Sequence, residues 1–160
     1  THAGLEWRLL AGDFAETMAR APSAPDLVFY DLFSGPTHPA AWTLSTFERL
    51  HVACAGRAVE RFTYTASTAA RVARLGAGFW VAKGCPTAGR PESTIALTAS
   101  AAAAAAEAAE VADLAGRRHE LLGPKWLERW GRSQARFPSD VEASEHAVFA
   151  QRIREHLQFR

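Results

Sequence analysis

Short apolar runs broken by Gly, Pro and Asp alternate with amphipathic stretches over the first hundred residues. Residues 5–10 predict a short strand that ends at Gly12-Asp13, and residues 14–21 predict a helix with Asp13 placed to cap it. The continuous run Leu27-Val28-Phe29-Tyr30, stopped by Asp31, predicts a strand buried on both faces. A loop over 32–41, holding Gly35, Pro36 and Pro39, leads into a helix over 43–54. Leu44, Phe47 and Leu50 share one face of that helix, with His51 at its margin. A strand over 58–65, a helix over 67–75 and a glycine stop at 76–78 come next. Residues 79–83 and 93–98 read as an antiparallel pair around a turn at 84–91. Strands alternating with helices predict an α/β sheet with buried parallel strands, which the last hairpin makes mixed.

The texture changes near residue 100, dividing the chain into 1–99 and a helical extension over 100–160. The Ala-rich stretch 101–115 is a strong helix former, ended by Gly116. Pro124 fits the first turn of a second helix, whose Trp126, Leu127 and Trp130 lie close enough in spacing to bury together. Ser139-Asp140-Val141-Glu142 has the form of a capping box opening a third helix, with Val148, Phe149, Ile153 and Leu157 as its apolar stripe. These helices either cover the sheet or present a docking surface through Arg129/Arg132 and Arg152/Arg154.

Composition narrows the classes. The 160 residues are 48% hydrophobic and 22% charged, which excludes a disordered chain. A net charge of +1 provides no bulk field toward nucleic acid or membrane, so any basic surface has to be a local patch. No apolar run is long enough to span a bilayer, and the start THAGLEWRLL lacks a secretion signal. Cys54 and Cys85 show neither CxxC spacing nor a histidine cluster, so a cytoplasmic location without a metal site is expected.

Ligands of open α/β sheets bind beyond the carboxyl ends of the strands. Three segments answer that description: Gly12-Asp13, Asp31-Leu32-Phe33-Ser34 and Thr63-Tyr64-Thr65. Asp31 stands directly after four apolar residues, where an unpaired carboxylate is costly. It either pins its own loop through backbone N–H groups or has a chemical task.

The order Asp31-x-Phe33-Ser34, Pro39-x-x-Trp42, Phe62-Thr63-Tyr64-Thr65-Ala66 and Gly76-Ala77-Gly78-Phe79 resembles the MnmC-like methyltransferase family. Arg71 and Arg74 in the following helix and Arg90-Pro91-Glu92 in the turn extend the likeness, which covers residues 5–98. It departs at Gly35, where the family has proline, and at Thr37-His38, where the family has basic residues. The resemblance implies a partial Rossmann-like class I methyltransferase sheet and a reaction that methylates the aminomethyl group of a modified wobble uridine in tRNA, with S-adenosylmethionine as cofactor. It begins at the family's third strand, so the Gly-rich cofactor loop is not among these residues. The expectation is that the chain alone binds the cofactor poorly; either it is a piece of a longer protein with an N-terminal segment, or the remaining strands come from elsewhere, or it is a stable but inactive relative. An FAD-dependent oxidase domain, the partner in bifunctional members, has no GxGxxG trace here.

By the same resemblance Asp31 is the catalytic residue, holding and deprotonating the amine. Phe33, Ser34 and Trp42 shape the base pocket. Asp13 bonds the adenine amino group, with Gly12 allowing close approach, though Asp13 as a helix cap is equally open. Tyr64 either stacks on the uridine or fills the core, and His38 is either a second base or solvated. Arg57, Arg61, Arg71, Arg74, Lys83 and Arg90 form an RNA-facing patch, or else a solvated surface balanced by Glu48, Glu60 and Glu92. Two functions therefore stand: a tRNA methyltransferase lacking its cofactor loop, or a non-catalytic binding and assembly module built on that fold.

Overall fold

The computed structural model describes residue 4 and residues 6–32, 37–86, 89, 91–108 and 119–160. In order these form α1 (Phe14–Met18), β1 (Leu27–Phe29), a 3-10 turn (Pro39–Trp42), α2 (Leu44–Ala53), β2 (Glu60–Thr63), α3 (Thr68–Gly76) and β3 (Trp80–Gly84). There follow β4 (Ser93–Leu97), α4 (Ala99–Ala108), β5 (Glu120–Leu121), α5 (Pro124–Gly131), a 3-10 turn (Ala143–Glu145), α6 (His146–Arg154) and a last 3-10 turn (Leu157–Phe159).

The strands make one mixed sheet in the order β1-β2-β4-β3-β5. β1 and β2 run parallel, and β4 lies antiparallel between β2 and β3. The α/β class and the closing hairpin are thus as the sequence pattern anticipated. Alternation along the strands separates two faces. Arg61, Val81 and Ala96 share one, which packs on α2 and α3; Phe62, Ala82, Ile95 and Leu97 share the other, beside Ala101 of α4.

Two clusters fill the helical face. Tyr30, Phe47, Leu50, Val59 and Phe79 make one. Val72, Leu75 and Val81 make the other together with Trp126, Trp130, Phe149 and Ile153 of the C-terminal helices. Each such large side chain contributes about 1.5–3 kcal/mol by leaving water. Gly76 is where α3 meets α6, since a Cβ there would stand 2.7 Å from Phe149 Cε2.

Two long-range bonds tie the extension to the sheet. The Asp140 carboxylate accepts from the backbone N–H of Leu44 (2.8 Å) and of Ser45 (3.0 Å), capping α2. Thr43 Oγ1 accepts from Thr46 N–H, so three of the four open donors of that helix are satisfied. Gln158 acts along β3: its Oε1 accepts from Val81 N–H, and its Nε2 donates to the carbonyls of Val81 and Leu122.

Four local expectations change. Residues 6–10 form no strand, and Trp7 and Leu9 are 86% and 94% exposed. A strand is stable only beside a partner, and no described strand lies next to this one. The run at Leu27–Phe29 is not buried on both faces: Leu27 and Phe29 are exposed because β1 ends the described sheet and pairs with β2 alone. The capping box forms at Glu142 and Glu145, one turn later than Ser139, because the Asp140 carboxylate is turned to α2 instead. On α6 the inward residues are Phe149 and Ile153, whereas Val148 and, beyond the helix, Leu157 face solvent. The expected end of the Ala-rich helix at Gly116 lies outside the described residues.

Candidate active site

β1 delivers Tyr30, Asp31 and Leu32 to the carboxyl end of the sheet, and β2 delivers Tyr64 beside them. Tyr30 is buried, and its hydroxyl donates to the Ala41 carbonyl, sewing the strand end to the turn Pro39–Trp42. Burial, opposed by the charges of Arg61 and Arg74, leaves its phenol pushed up to about 12. The Tyr64 hydroxyl donates to the Leu32 carbonyl at 2.9 Å, fixing the segment next to Asp31. Trp42 meets Tyr30 edge-on at 5.4 Å between ring centroids and Tyr64 at 6.1 Å. Asp31 itself is exposed at the head of this aromatic group.

Beneath the rings lie two guanidinium groups for which the sequence left either an RNA-facing patch or a solvated surface open. Arg61 and Arg74 are instead almost wholly enclosed. Arg61 stands 4.8 Å from the Tyr30 ring centroid and 4.4 Å from that of Phe47. Arg74 stands 5.4 Å from that of Trp42, and its Nη1 donates to the Ala70 carbonyl at 2.6 Å. None of the Arg61 nitrogens has a hydrogen-bond partner among the described residues. Burial brings the Arg61 guanidinium down to about 10 and, joined by the Arg61 charge, holds Arg74 well below its usual range. Cation–π contacts of about 0.5–2 kcal/mol each offset part of that cost. The signal was present in the pattern: Val59, Arg61 and Thr63 share one side of a strand, and Val59 is apolar.

A cavity of about 410 Å³ lies beside this end of the sheet. Gly12, Asp13 and Phe14 form one wall, Leu32 and Ala40-Ala41 another, with His38 and Arg49 also reaching it. Gly12-Asp13 and Leu32, separate in sequence, therefore meet across one space. Gly12 has φ 133°, and a Cβ there would come within 3.2 Å of Thr17 Cγ2, so the position favours glycine. Asp13 also opens α1, its carbonyl accepting from Thr17 N–H at 2.9 Å. A flat apolar ring carrying an amino group suits this cavity, with a carboxylate to accept and apolar walls to enclose it. These residues accordingly fit the adenine end of S-adenosylmethionine.

The other expected residues are distributed unevenly. Arg71 is fully buried; it donates to Glu92 (2.9 Å), Thr94 Oγ1 (3.0 Å) and the Ser93 carbonyl (2.9 Å). Arg57 pairs with Asp26, and Lys83 with Glu120. Phe33, Ser34 and Arg90 lie outside the described residues. Among the described residues no group of three or more His, Cys, Asp or Glu side chains is placed to hold a metal, and no helix is long and apolar enough to cross a membrane. Lys125, which no motif singled out, lines a second cavity with Arg71 and Lys83.

Comparison with solved structures finds a similar fold in the crystal structure of MNMC2 from Aquifex aeolicus, with a TM-score of 0.58 and 20% identity. The likeness covers 93% of this chain and 43% of that one, so the chain spans less than half the length of that structure. No curated protein matches in sequence. Residues 1–99 match the profile of a family described as S-adenosyl-L-methionine-dependent methyltransferase. With that match over more than half its length and the sheet ends arranged as above, the chain belongs to the S-adenosyl-L-methionine-dependent methyltransferase family.

Proposed function

We propose that the protein to which this chain belongs methylates the aminomethyl group of a modified wobble uridine in tRNA, in the cytoplasm. This chain then supplies the acceptor side of the site and the adenine end of the cofactor site. The observation that carries the reading is the position of Asp31 next to Leu32. Leu32 lines the cavity with Gly12 and Asp13, while its carbonyl holds Tyr64 at 2.9 Å. A carboxylate stands, therefore, where a cofactor cavity and an aromatic wall adjoin.

S-adenosylmethionine, when bound, supplies an electrophilic methyl group on a sulfonium sulfur. An aminomethyl group is largely protonated at neutral pH, so its lone pair has to be freed before it can attack. Asp31 would accept that proton and keep the amine oriented toward the methyl group the cofactor would supply, and the proton would leave through the exposed carboxylate to water. Trp42 and Tyr64 hold the base plane, so that much of the acceleration comes from placement.

Calorimetric titration with S-adenosylmethionine tests the cofactor half, using this chain and a longer form extended upstream in its gene. The longer form is expected to bind, and its Asp31→Asn variant to keep that affinity while losing about 10²–10⁴ in turnover on tRNA. Binding by neither form removes the enzyme reading and leaves a non-catalytic assembly module.

A further inference from the structure

The second cavity, about 650 Å³, opens where the C-terminal extension meets the sheet. Arg71, Lys83, Lys125 and Arg129 contribute four cationic side chains to its wall, against Glu120 in the wall and Glu92 behind it. Arg71 is spent on Glu92, Thr94 and Ser93, and Lys83 on Glu120. Lys125 is exposed, and Arg129, 61% exposed, reaches Glu92 only at 3.7 Å. Positive charge on Lys125 and Arg129 that no close carboxylate among the described residues answers therefore stands at the wall of one void, which suits an anion.

Its position selects the anion. Thr63, Thr94, Lys83 and Glu120 stand opposite one another in register across β2, β4, β3 and β5. That row lies at the carboxyl end of β2, the end at which β1 delivers Asp31. With strands about 4.8 Å apart, the cavity is roughly 14–19 Å along the sheet end from Asp31. A polymer held at Asp31 crosses that distance within a few nucleotides, and its phosphates repeat along the way.

We infer that this cavity holds a backbone phosphate of the RNA strand whose base is presented to Asp31, with Lys125 and Arg129 as its ligands. The inference rests on the tRNA reading above. It gives the extension, which lies beyond the matched residues 1–99, a share in substrate binding. A phosphate of a free nucleotide has the same local chemistry, and the test separates the two.

The probe is a fluorescein-labelled anticodon stem-loop RNA, titrated by anisotropy at several salt concentrations, with uridine monophosphate as competitor. The Lys125→Ala/Arg129→Ala double variant is expected to bind roughly tenfold more weakly. Its dependence of log K on log salt is expected to be shallower by about 0.7, one phosphate contact on a single strand. Arg8→Ala, a charge removed outside both cavities, leaves both quantities as they were. Unchanged RNA affinity and slope in the double variant, with the wild-type chain still binding RNA, overturn the phosphate site and leave the tRNA reading standing. Equal loss of uridine monophosphate and no loss of RNA assign the cavity to a free nucleotide and overturn the proposal. A wild-type chain that binds no RNA overturns both.

Discussion

Gln158 does the work of a strand residue with a side chain. Its amide meets Val81 N–H at 2.6 Å and the carbonyls of Val81 and Leu122 at 2.8 Å each, where β5 has already ended. Gln158→Glu keeps the shape but replaces the donor with a carboxylate facing two carbonyls. It is expected to cost about 1–3 kcal/mol, seen as a thermal midpoint several degrees lower. An unchanged midpoint would mean these bonds add nothing net. At this scale the sequence was uneven as a guide. Asp31 was legible because a carboxylate after an apolar strand is conspicuous whatever surrounds it. Arg61 was not, because arginine is read as surface unless its strand neighbours are weighed; Val59 two positions earlier points to the interior. Gln158 gave no local sign, since its partners are 77 and 36 residues away.

Among elements, α3 shows packing overruling propensity. Alanine is a better helix former than glycine by about 1 kcal/mol. A methyl group on Gly76 would nevertheless meet Phe149 Cζ at 2.8 Å and Leu44 Cδ1 at 3.0 Å. Gly76→Ala is therefore expected to destabilise by about 1–3 kcal/mol in denaturant unfolding, and adding Phe149→Leu to recover part of the loss. If Gly76→Ala were more stable than the parent, the close approach of α3 to α6 would be wrong. Helices with a clear apolar stripe, α2 and α5, were legible, as was the β3/β4 pair bracketed by its turn. The edge was not, because the same apolar letters at 27–30 describe a strand enclosed on both sides and a strand with a single neighbour.

The whole molecule carries an acid-side pH response through two histidines. His51 and His156 are both held below the ordinary histidine range, each chiefly by burial, and His156 also by the Arg152 charge. His156 Nδ1 accepts from Gln158 N–H at 3.2 Å, which only the neutral ring can do. A depressed value means that the unfolded chain takes up protons first. Stability is thus fully present above about pH 6.5 and is lost as pH falls through the folded values. The thermal midpoint should fall between neutral and mildly acidic pH, and His156→Gln should flatten part of that fall; a parent profile flat through this range would contradict it. The location of the candidate site at the strand ends was legible from topology alone. What was not legible is that Gly12-Asp13 and Leu32 face one cavity, or that Lys125 and Arg129 join Lys83 at another, because such meetings are decided by packing across the chain.

Asp140 has a consequence for synthesis. The first two open N–H groups of α2, on Leu44 and Ser45, find their acceptor 96 and 95 residues later. At about 5–20 residues per second, α2 waits on the order of 5–20 s after leaving the ribosome before its start can be closed. During that interval the turn Pro39–Trp42, which leads into α2 and forms one wall of the Gly12–Asp13 cavity, is anchored only by nearer contacts such as Tyr30 to Ala41. A nascent chain stalled before residue 140 should therefore show faster amide exchange at Leu44 and Ser45 than the released protein.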